Sequence, residues 1–425
     1  MREMKDSGIE WIGAIPQDWQ LSKIGSLYTQ RNEKVSDKDY QPLSVTMQGI
    51  LPQLATAAKT DDGDNRKLVR VGDFAINSRS DRRGSCGISP LDGSVSLINI
   101  ILTPRTAMHP GYYNWLFHTT LFADEFYKWG HGIVADLWTT RWQEMKSITV
   151  PVPEYAEQER IAAFLDAECA EIDAVLEKTR ASIEEYKKLK QAVITQAVTK
   201  GIRGDRPMKD SGIEWIGDIP AEWTASKIKY CTEFAPSCNT SHLSEDSLVT
   251  FTPMECIKNG YFENREAHFS ALSSSYTQYQ DGDIVFAKVT PCFENGNIAI
   301  MQGLSAGVGF GSSELFVIRP QSINTEFIFY YLQNDIFKQY ACATMTGTGG
   351  LKRVSPTFVR NYSIFIPCNE EQLEIVRYLN EKCSGIEVLI AKKQQYLTEI
   401  ENYKKSLIYE YVTGKKEVKT SVLAD

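Results

Sequence analysis

The residues of this chain best suited to chemistry are basic, hydroxyl-bearing and amide side chains gathered on four loops. Ser78, Arg79, Arg82 and Arg83 fall within Asn77-Ser78-Arg79-Ser80-Asp81-Arg82-Arg83-Gly84, and Thr139, Thr140 and Arg141 follow a Gly130-His131-Gly132 turn. Lys288, Thr290 and Asn295 lie in Ala287-Lys288-Val289-Thr290-Pro291-Cys292-Phe293-Glu294-Asn295. Thr348, Lys352 and Arg353 belong to Gly347-Thr348-Gly349-Gly350-Leu351-Lys352-Arg353. Arginine and lysine bond guanine edges and phosphates, while asparagine, serine and threonine serve other bases, so such loops suit reading of a DNA major groove. The plain alternative is a set of solvated loops. The Gly347 loop superficially resembles a phosphate cradle, but its spacing is wrong for a nucleotide-binding loop; its basic pair suits a phosphate-backbone contact. No G-x-x-x-x-G-K-[ST], G-x-S-x-G or H-E-x-x-H pattern occurs, and no acid pair repeats, so no catalytic residue is assigned. Nine cysteines without C-x-x-C or paired Cys/His spacing argue against a disulfide framework and a zinc site, and read as reduced, mostly buried thiols.

What must position these loops is a duplicated unit. Met4 to Ile24 returns at Met208 to Ile228 with sixteen of 21 positions identical, ten of them consecutive. A gapless second match relates the segments after Pro153 and Pro367: Glu157-Gln158 to Glu371-Gln372, Leu165 to Leu379, Cys169 to Cys383, and Val198-Thr199 to Val412-Thr413. The offset grows from 204 to 214 residues, so the second unit carries ten extra residues in its middle. The period is far too long for a solenoid and means two domain-sized halves.

Each unit opens with W-I-G-x-I-P-x-x-W, holding Trp11 and Trp19 or Trp215 and Trp223; Pro16 and Pro220 favour an extended or turn segment whose indoles anchor a core. Short apolar runs bounded by Gly, Asp and Pro then predict strands at Pro42–Thr46, Val69–Val71, Phe74–Ile76, Ser96–Leu102, Leu248–Thr252, Ile284–Phe286 and Leu315–Ile318. Aromatics at helical spacing predict one core helix over Tyr112–Phe126 and another over Glu326–Tyr340.

After Pro153 and Pro367 each unit ends in a proline-free stretch with apolar residues in steps of three, four and seven. Ile161, Leu165, Ile172, Leu176 and Ile183 form one seam, and Ile375, Leu379, Ile386, Ile390 and Leu397 the other. About 45 residues at 1.5 Å rise make a rod of roughly 65 Å. Duplicated units related by a two-fold axis across such rods pair them antiparallel and carry the two domains to opposite ends, which is a caliper. The expected fold class is α+β, with two pseudo-symmetric globular domains separated by two long helices in an antiparallel coiled coil. The expected divisions are a first domain at 1–153, a helix at 154–203, a second domain at 204–367, a helix at 368–415 and a tail at 416–425.

With 425 residues the chain can bury two or three cores. A net charge of -8 and a pI near 5.4 speak against an unaided, nonspecific nucleic-acid binder, although much of the acid lies in helical segments such as Glu154 to Glu185. Neither a membrane span nor a signal sequence is visible, and a cytoplasmic protein is expected.

Together these residues resemble the specificity subunit of type I restriction-modification systems. The resemblance rests on both W-I-G-x-I-P-x-x-W openings, the Phe286 to Gly296 run, Gly309-Phe310-Gly311-Ser312-Ser313-Glu314, Gly347 to Val354 and both Pro-x-x-x-Glu-Gln helices. It implies two target recognition domains, each reading one half of a split double-stranded DNA site, with the helices fixing the gap. The diverged middles then imply an asymmetric target, its halves about one DNA turn, roughly 34 Å, apart. The resemblance further implies a non-catalytic subunit without a cofactor of its own. Its partners would be two methyltransferase subunits using S-adenosylmethionine and restriction subunits using ATP and Mg. A two-domain coiled-coil scaffold that grips protein, and a self-contained DNA enzyme, are the rival classes.

Overall fold

The computed structural model describes residues 2–53, 63–132, 138–214, 216–272, 275–348 and 350–418. Trp215, Gly349 and most of the expected tail lie outside the described residues. The chain forms two compact units, one of Met1–Arg180 with Gln394–Asp425 and one of Ala181–Lys393. The boundary falls inside both long helices, so each unit holds half of each.

Each unit is built on the same four-stranded antiparallel sheet. In the first, the order is Cys86–Ile88, Phe74–Asn77, Asn99–Pro104, Tyr28–Arg31; in the second it is Ile298–Ile300, Ile284–Ala287, Leu315–Pro320, Thr232–Phe234. The central strand starts alike in both. Gly72 (φ 86°) and Gly282 (φ 90°) supply the left-handed turn, and the following aspartate is buried. Asp73 accepts from Arg70 N at 2.9 Å and Asp283 accepts from Gln280 N at 2.8 Å, closing the turn. Each buried carboxylate also takes a bidentate arginine, but from different strands: Arg31 at the sheet edge in the first unit, Arg319 on the neighbouring strand in the second. The second sheets differ. Unit one has Gly93–Val95, Arg66–Val69 and Lys34–Val35, whereas unit two has four strands including a parallel pair, Leu248–Thr252 with Val308–Gly311.

Four expectations shift. Instead of one helix, Pro110–Phe117 and Thr120–Lys128 meet at Thr119, whose hydroxyl caps the second by accepting from Phe122 N. In the second unit Thr325–Gln333 and Asp335–Ala343 meet at Asn334, which caps by accepting from Ile336 N. Capping side chains compete with the continuing helix for the same backbone donors, so a helical pattern crossing Thr119 or Asn334 breaks there. The strand expected from Ser96 begins at Asn99; Asn99 N donates to Ser96 O at 3.1 Å, turning Leu97 and Ile98 outward. The strand expected at Val69–Val71 runs from Arg66 to Val69, ahead of the Gly72 turn.

The long helices are Tyr155–Lys200 and Asn369–Val412. Their pairing within each unit is antiparallel. In unit one Phe164 meets Tyr411, Asp173 meets Lys404 and Arg180 meets Glu401; in unit two Tyr186 meets Lys393 and Lys190 meets Glu387. Ile161, Leu165, Leu176, Ile183, Ile375, Leu379 and Ile386 are buried, while Ile172, Ile390 and Leu397 are half-buried, as a two-stranded seam requires. Ile161 and Leu165 also belong to the first unit's core together with Leu407 and Val412, and Ile375 and Leu379 share the second unit's core with Ile194 and Val198.

The duplicated Glu-Gln pairs explain how helix and domain lock. Glu157 accepts from Trp19 Nε1 at 2.8 Å and pairs with Arg2; Glu371 accepts from Trp223 Nε1 at 3.1 Å and pairs with Arg206. Gln158 accepts from His109 N, and Gln372 accepts from Asn324 N, pinning the start of the aromatic helices. Trp19 and Trp223 are therefore core anchors whose polar handle is satisfied.

Candidate nucleic-acid interface

Beyond the central strand of each unit the backbone enters a clasp. In the first unit Ser80 N donates to Trp138 O (3.0 Å), Thr140 N to Ser78 O (3.0 Å) and Ser78 N to Ile98 O (3.4 Å). Arg79 faces Thr139 in an antiparallel bridge, and Thr139 exchanges both backbone hydrogen bonds with His131 at 3.0 Å.

The second unit repeats this bond for bond. Thr290 N donates to Lys352 O (3.0 Å), Val354 N to Lys288 O (2.9 Å) and Lys288 N to Glu314 O (2.9 Å). Val289 faces Arg353, and Arg353 exchanges bonds with Thr346 at 2.9 and 3.1 Å. The clasp therefore equates Ser78 with Lys288, Arg79 with Val289, Ser80 with Thr290, Ile98 with Glu314, His131 with Thr346, Trp138 with Lys352, Thr139 with Arg353 and Thr140 with Val354. A common backbone displays almost wholly different side chains.

The clasp joins loops far apart in sequence and sorts the expected site residues. Thr140 is fully buried, donating to Phe126 O at 2.8 Å, and its counterpart Val354 is a buried peg of the same shape. Ser78 is buried as well, and its hydroxyl donates to Ile98 O at 2.5 Å. These two fasten the site from below. Arg79, Thr139, Lys288, Thr290, Lys352 and Arg353 stand on the clasp itself, with Thr290 Oγ1 donating to Gly350 O and accepting from Lys352 N. Arg82, Arg83, Arg141, Asn295 and Thr348 are exposed on flanking turns. Arg82 and Arg79 lie 3.9 and 3.6 Å from Asp81, and Arg83 pairs with Asp124.

Two site features escape the sequence reading. Glu314 grips Arg353 with two charge-assisted hydrogen bonds, Nε to Oε2 at 2.9 Å and Nη2 to Oε1 at 2.6 Å. This contact holds the Glu314 carboxyl below its ordinary range and raises the Arg353 guanidinium, so both stay charged. Lys288 Nζ donates to Ser313 O at 2.6 Å and sits 5.4 Å from the Phe316 ring; burial lowers its pKa, partly offset by Glu314. The other feature is the exposed apolar turn Leu97-Ile98 in the first unit. Glu314 lies in the quoted Gly-x-Gly-Ser-Ser-Glu run, but nothing in the sequence pairs it with a residue 39 positions away.

Among the described residues no group of His, Cys, Asp and Glu side chains is arranged to hold a metal ion, and no helix is long and apolar enough to cross a membrane. Five cysteines are buried and Cys368 is exposed.

Residues 237–401 match the type I restriction modification DNA specificity domain. The chain is 33% identical over 189 residues to the Escherichia coli type I restriction enzyme EcoEI specificity subunit, an alignment taking in 43% of this chain and 32% of that relative. It is 23% identical to the Methanocaldococcus jannaschii MjaVIII specificity subunit, covering 95% of this chain and 94% of the relative. Among solved structures, one described as showing complex assembly and conformational transition of the type I R-M system has a TM-score of 0.72 at 14% identity, over 95% of this chain and 99% of that one. The HsdS subunit from Thermoanaerobacter tengcongensis gives 0.50 at 17% identity, over 95% and 98%.

Proposed function

We propose that this chain, which carries the type I specificity domain and shares the fold of type I specificity subunits, is the DNA sequence-recognition subunit of a restriction-modification complex. Each unit reads one half of a split, asymmetric site. The observation that carries this is the clasp, a single backbone scaffold built twice and decorated differently. An equal scaffold presents each set of side chains in the same pose, and unequal side chains ask for unequal base edges.

In this reading Arg79, Thr139, Lys288, Thr290, Lys352 and Arg353 face the DNA, with Ser78 and Thr140 holding the loops in place. Arg82, Arg83, Arg141, Asn295 and Thr348 add contacts from the flanking turns, chiefly to phosphates. The paired helices set the gap between half-sites at about one turn of the duplex. Their outer faces dock the partners: Val175, Tyr396 and Tyr403 in unit one and Leu189, Val388 and Leu389 in unit two are apolar yet exposed. Those partners are two methyltransferase subunits, which supply S-adenosylmethionine chemistry, and restriction subunits, which supply ATP- and Mg-dependent cutting. They also add positive charge that this acidic chain lacks.

The test is selection of bound DNA from a random duplex pool by the full chain co-expressed with methyltransferase subunits. A two-part asymmetric motif with a fixed unread gap is expected. One continuous motif would remove the split-site reading, and no enrichment would point to a protein-binding scaffold.

A further inference from the structure

The two clasps differ most in chemistry at one corner. In the second unit the corner is Glu314 with Arg353; at the equivalent backbone positions the first unit has Ile98 with Thr139. The turn bearing Glu314 or Ile98 is tied down alike, by Lys288 Nζ on Ser313 O in one unit and Ser78 Oγ on Ile98 O in the other. The corner is therefore a fixed platform in both.

Glu314 engages the Nε and Nη2 edge of Arg353, side-on. A guanidinium has five N–H donors in a rigid plane, so the end-on edge, Nη1 with the outer hydrogen of Nη2, remains for a second bidentate partner. Guanine offers O6 and N7 in the major groove at the spacing of that fork. Glu314 does not have to release Arg353 for this. It orients the plane beforehand, which reduces the rotamer entropy lost on binding. In the first unit Leu97 and Ile98 are 38% and 41% exposed on the turn whose Ile98 carbonyl is bonded by Ser78, the clasp position that Glu314 takes in the second unit. Exposed branched apolar side chains on a polar clasp match one groove feature, the thymine C5 methyl.

We propose that this corner decides a base pair in each half-site: Arg353, positioned by Glu314, requires a guanine in the second unit's half, and Ile98 with Thr139 favours a thymine in the first unit's half. The inference rests on the DNA-reading function above. Arg353 is the base-contacting residue and Glu314 its positioning residue.

The experiment is pool selection with the full chain and methyltransferase subunits, comparing wild type with R353K, E314I/R353T and I98E/T139R, each checked for a cooperative thermal transition. R353K keeps the charge and loses the planar fork: although a free lysine can bond a guanine edge, a single ammonium beside Glu314 cannot hold that carboxylate and a base on the opposite side at once. It should still bind, with guanine preference at one position of one half-site falling by about 10- to 100-fold and all other positions unchanged. E314I/R353T should lose that guanine and gain thymine there, and I98E/T139R should install a guanine preference in the other half-site. If R353K retains every base preference of a two-part wild-type motif, the inference fails while the DNA-reading function stands. If wild type yields no two-part motif, the function itself fails. Should a double variant not fold, R353K on its exposed residue decides.

Discussion

Removing the Glu371 carboxylate isolates the contribution of the lock between long helix and domain in the second unit. The side chain is 1% exposed and holds both the Arg206 guanidinium and the Trp223 indole N–H, the latter at 3.1 Å. Arg206 is itself 9% exposed, donates to Lys200 O at 2.9 Å and stacks 5.5 Å from the Trp223 ring. In Glu371→Ala the arginine keeps its charge inside the structure, with the half-exposed Glu222 its remaining counterion among the described residues. Breaking a buried pair by deleting one partner costs about 3–5 kcal/mol, and the orphaned indole N–H moves the value toward the top of that range. With a urea slope on the order of 2–3 kcal/mol/M for a unit of this size, the transition should move down by about 1–2 M. Urea titration followed by tryptophan fluorescence measures this, and hydrogen exchange should place the loosening in residues 181–393. The double variant Arg206→Met/Glu371→Leu should cost well under the sum of the single variants, because replacing both partners leaves no buried charge. A loss below about 1 kcal/mol for Glu371→Ala, or additivity in the cycle, would refute the lock as a buried charge network.

Two further outcomes follow from the same structure. Burial lowers the pKa of His118, whose Nδ1 lies 2.6 Å from Asn114 O, so the folded first unit favours the neutral ring. Between that lowered value and the ordinary 6.5 the unfolded chain binds more protons, so stability falls as pH drops below 6.5, by at most about 1.4 kcal/mol per pH unit; His118→Gln should flatten that slope in pH-dependent melts, and an unchanged slope would refute the assignment. Inserting four residues into one long helix, with a matching four in its partner, adds about 6 Å and should lengthen the selected gap while leaving both half-sites intact; an altered half-site with an unchanged gap would defeat the spacer reading.

Identical residues recur in this chain where the physics repeats. Trp19 and Trp223 meet Glu157 and Glu371, and the Gly72 and Gly282 turns each need a left-handed residue before a buried aspartate. Such needs are local or use the same partner twice, so the duplication, the central strands of the repeated sheet and the helix seams could be read from the sequence. Arg2 and Arg206 recur at the same 204-residue offset as Met4 and Met208, but the mismatch of Glu3 with Pro207 separates them from the consecutive matches, and nothing in the sequence joins either to a glutamate more than 150 residues away.

The clasp was not legible. Its bonds join backbone atoms, which leave no mark on side-chain choice, and they join segments dozens of residues apart: Ser78 to Thr140, Lys288 to Val354. Sequence alone therefore supplied the basic and polar residues without ranking them. Thr140 and Arg353 looked equally eligible, and tertiary packing buried the first and displayed the second. Leu97 and Ile98 looked like strand interior, and the Asn99 turn put them outside. Composition and periodicity determined that this protein is two like units with paired helices. Which side chains meet the outside at the clasp was decided by long-range backbone pairing, because exposure is a property of the whole packed unit.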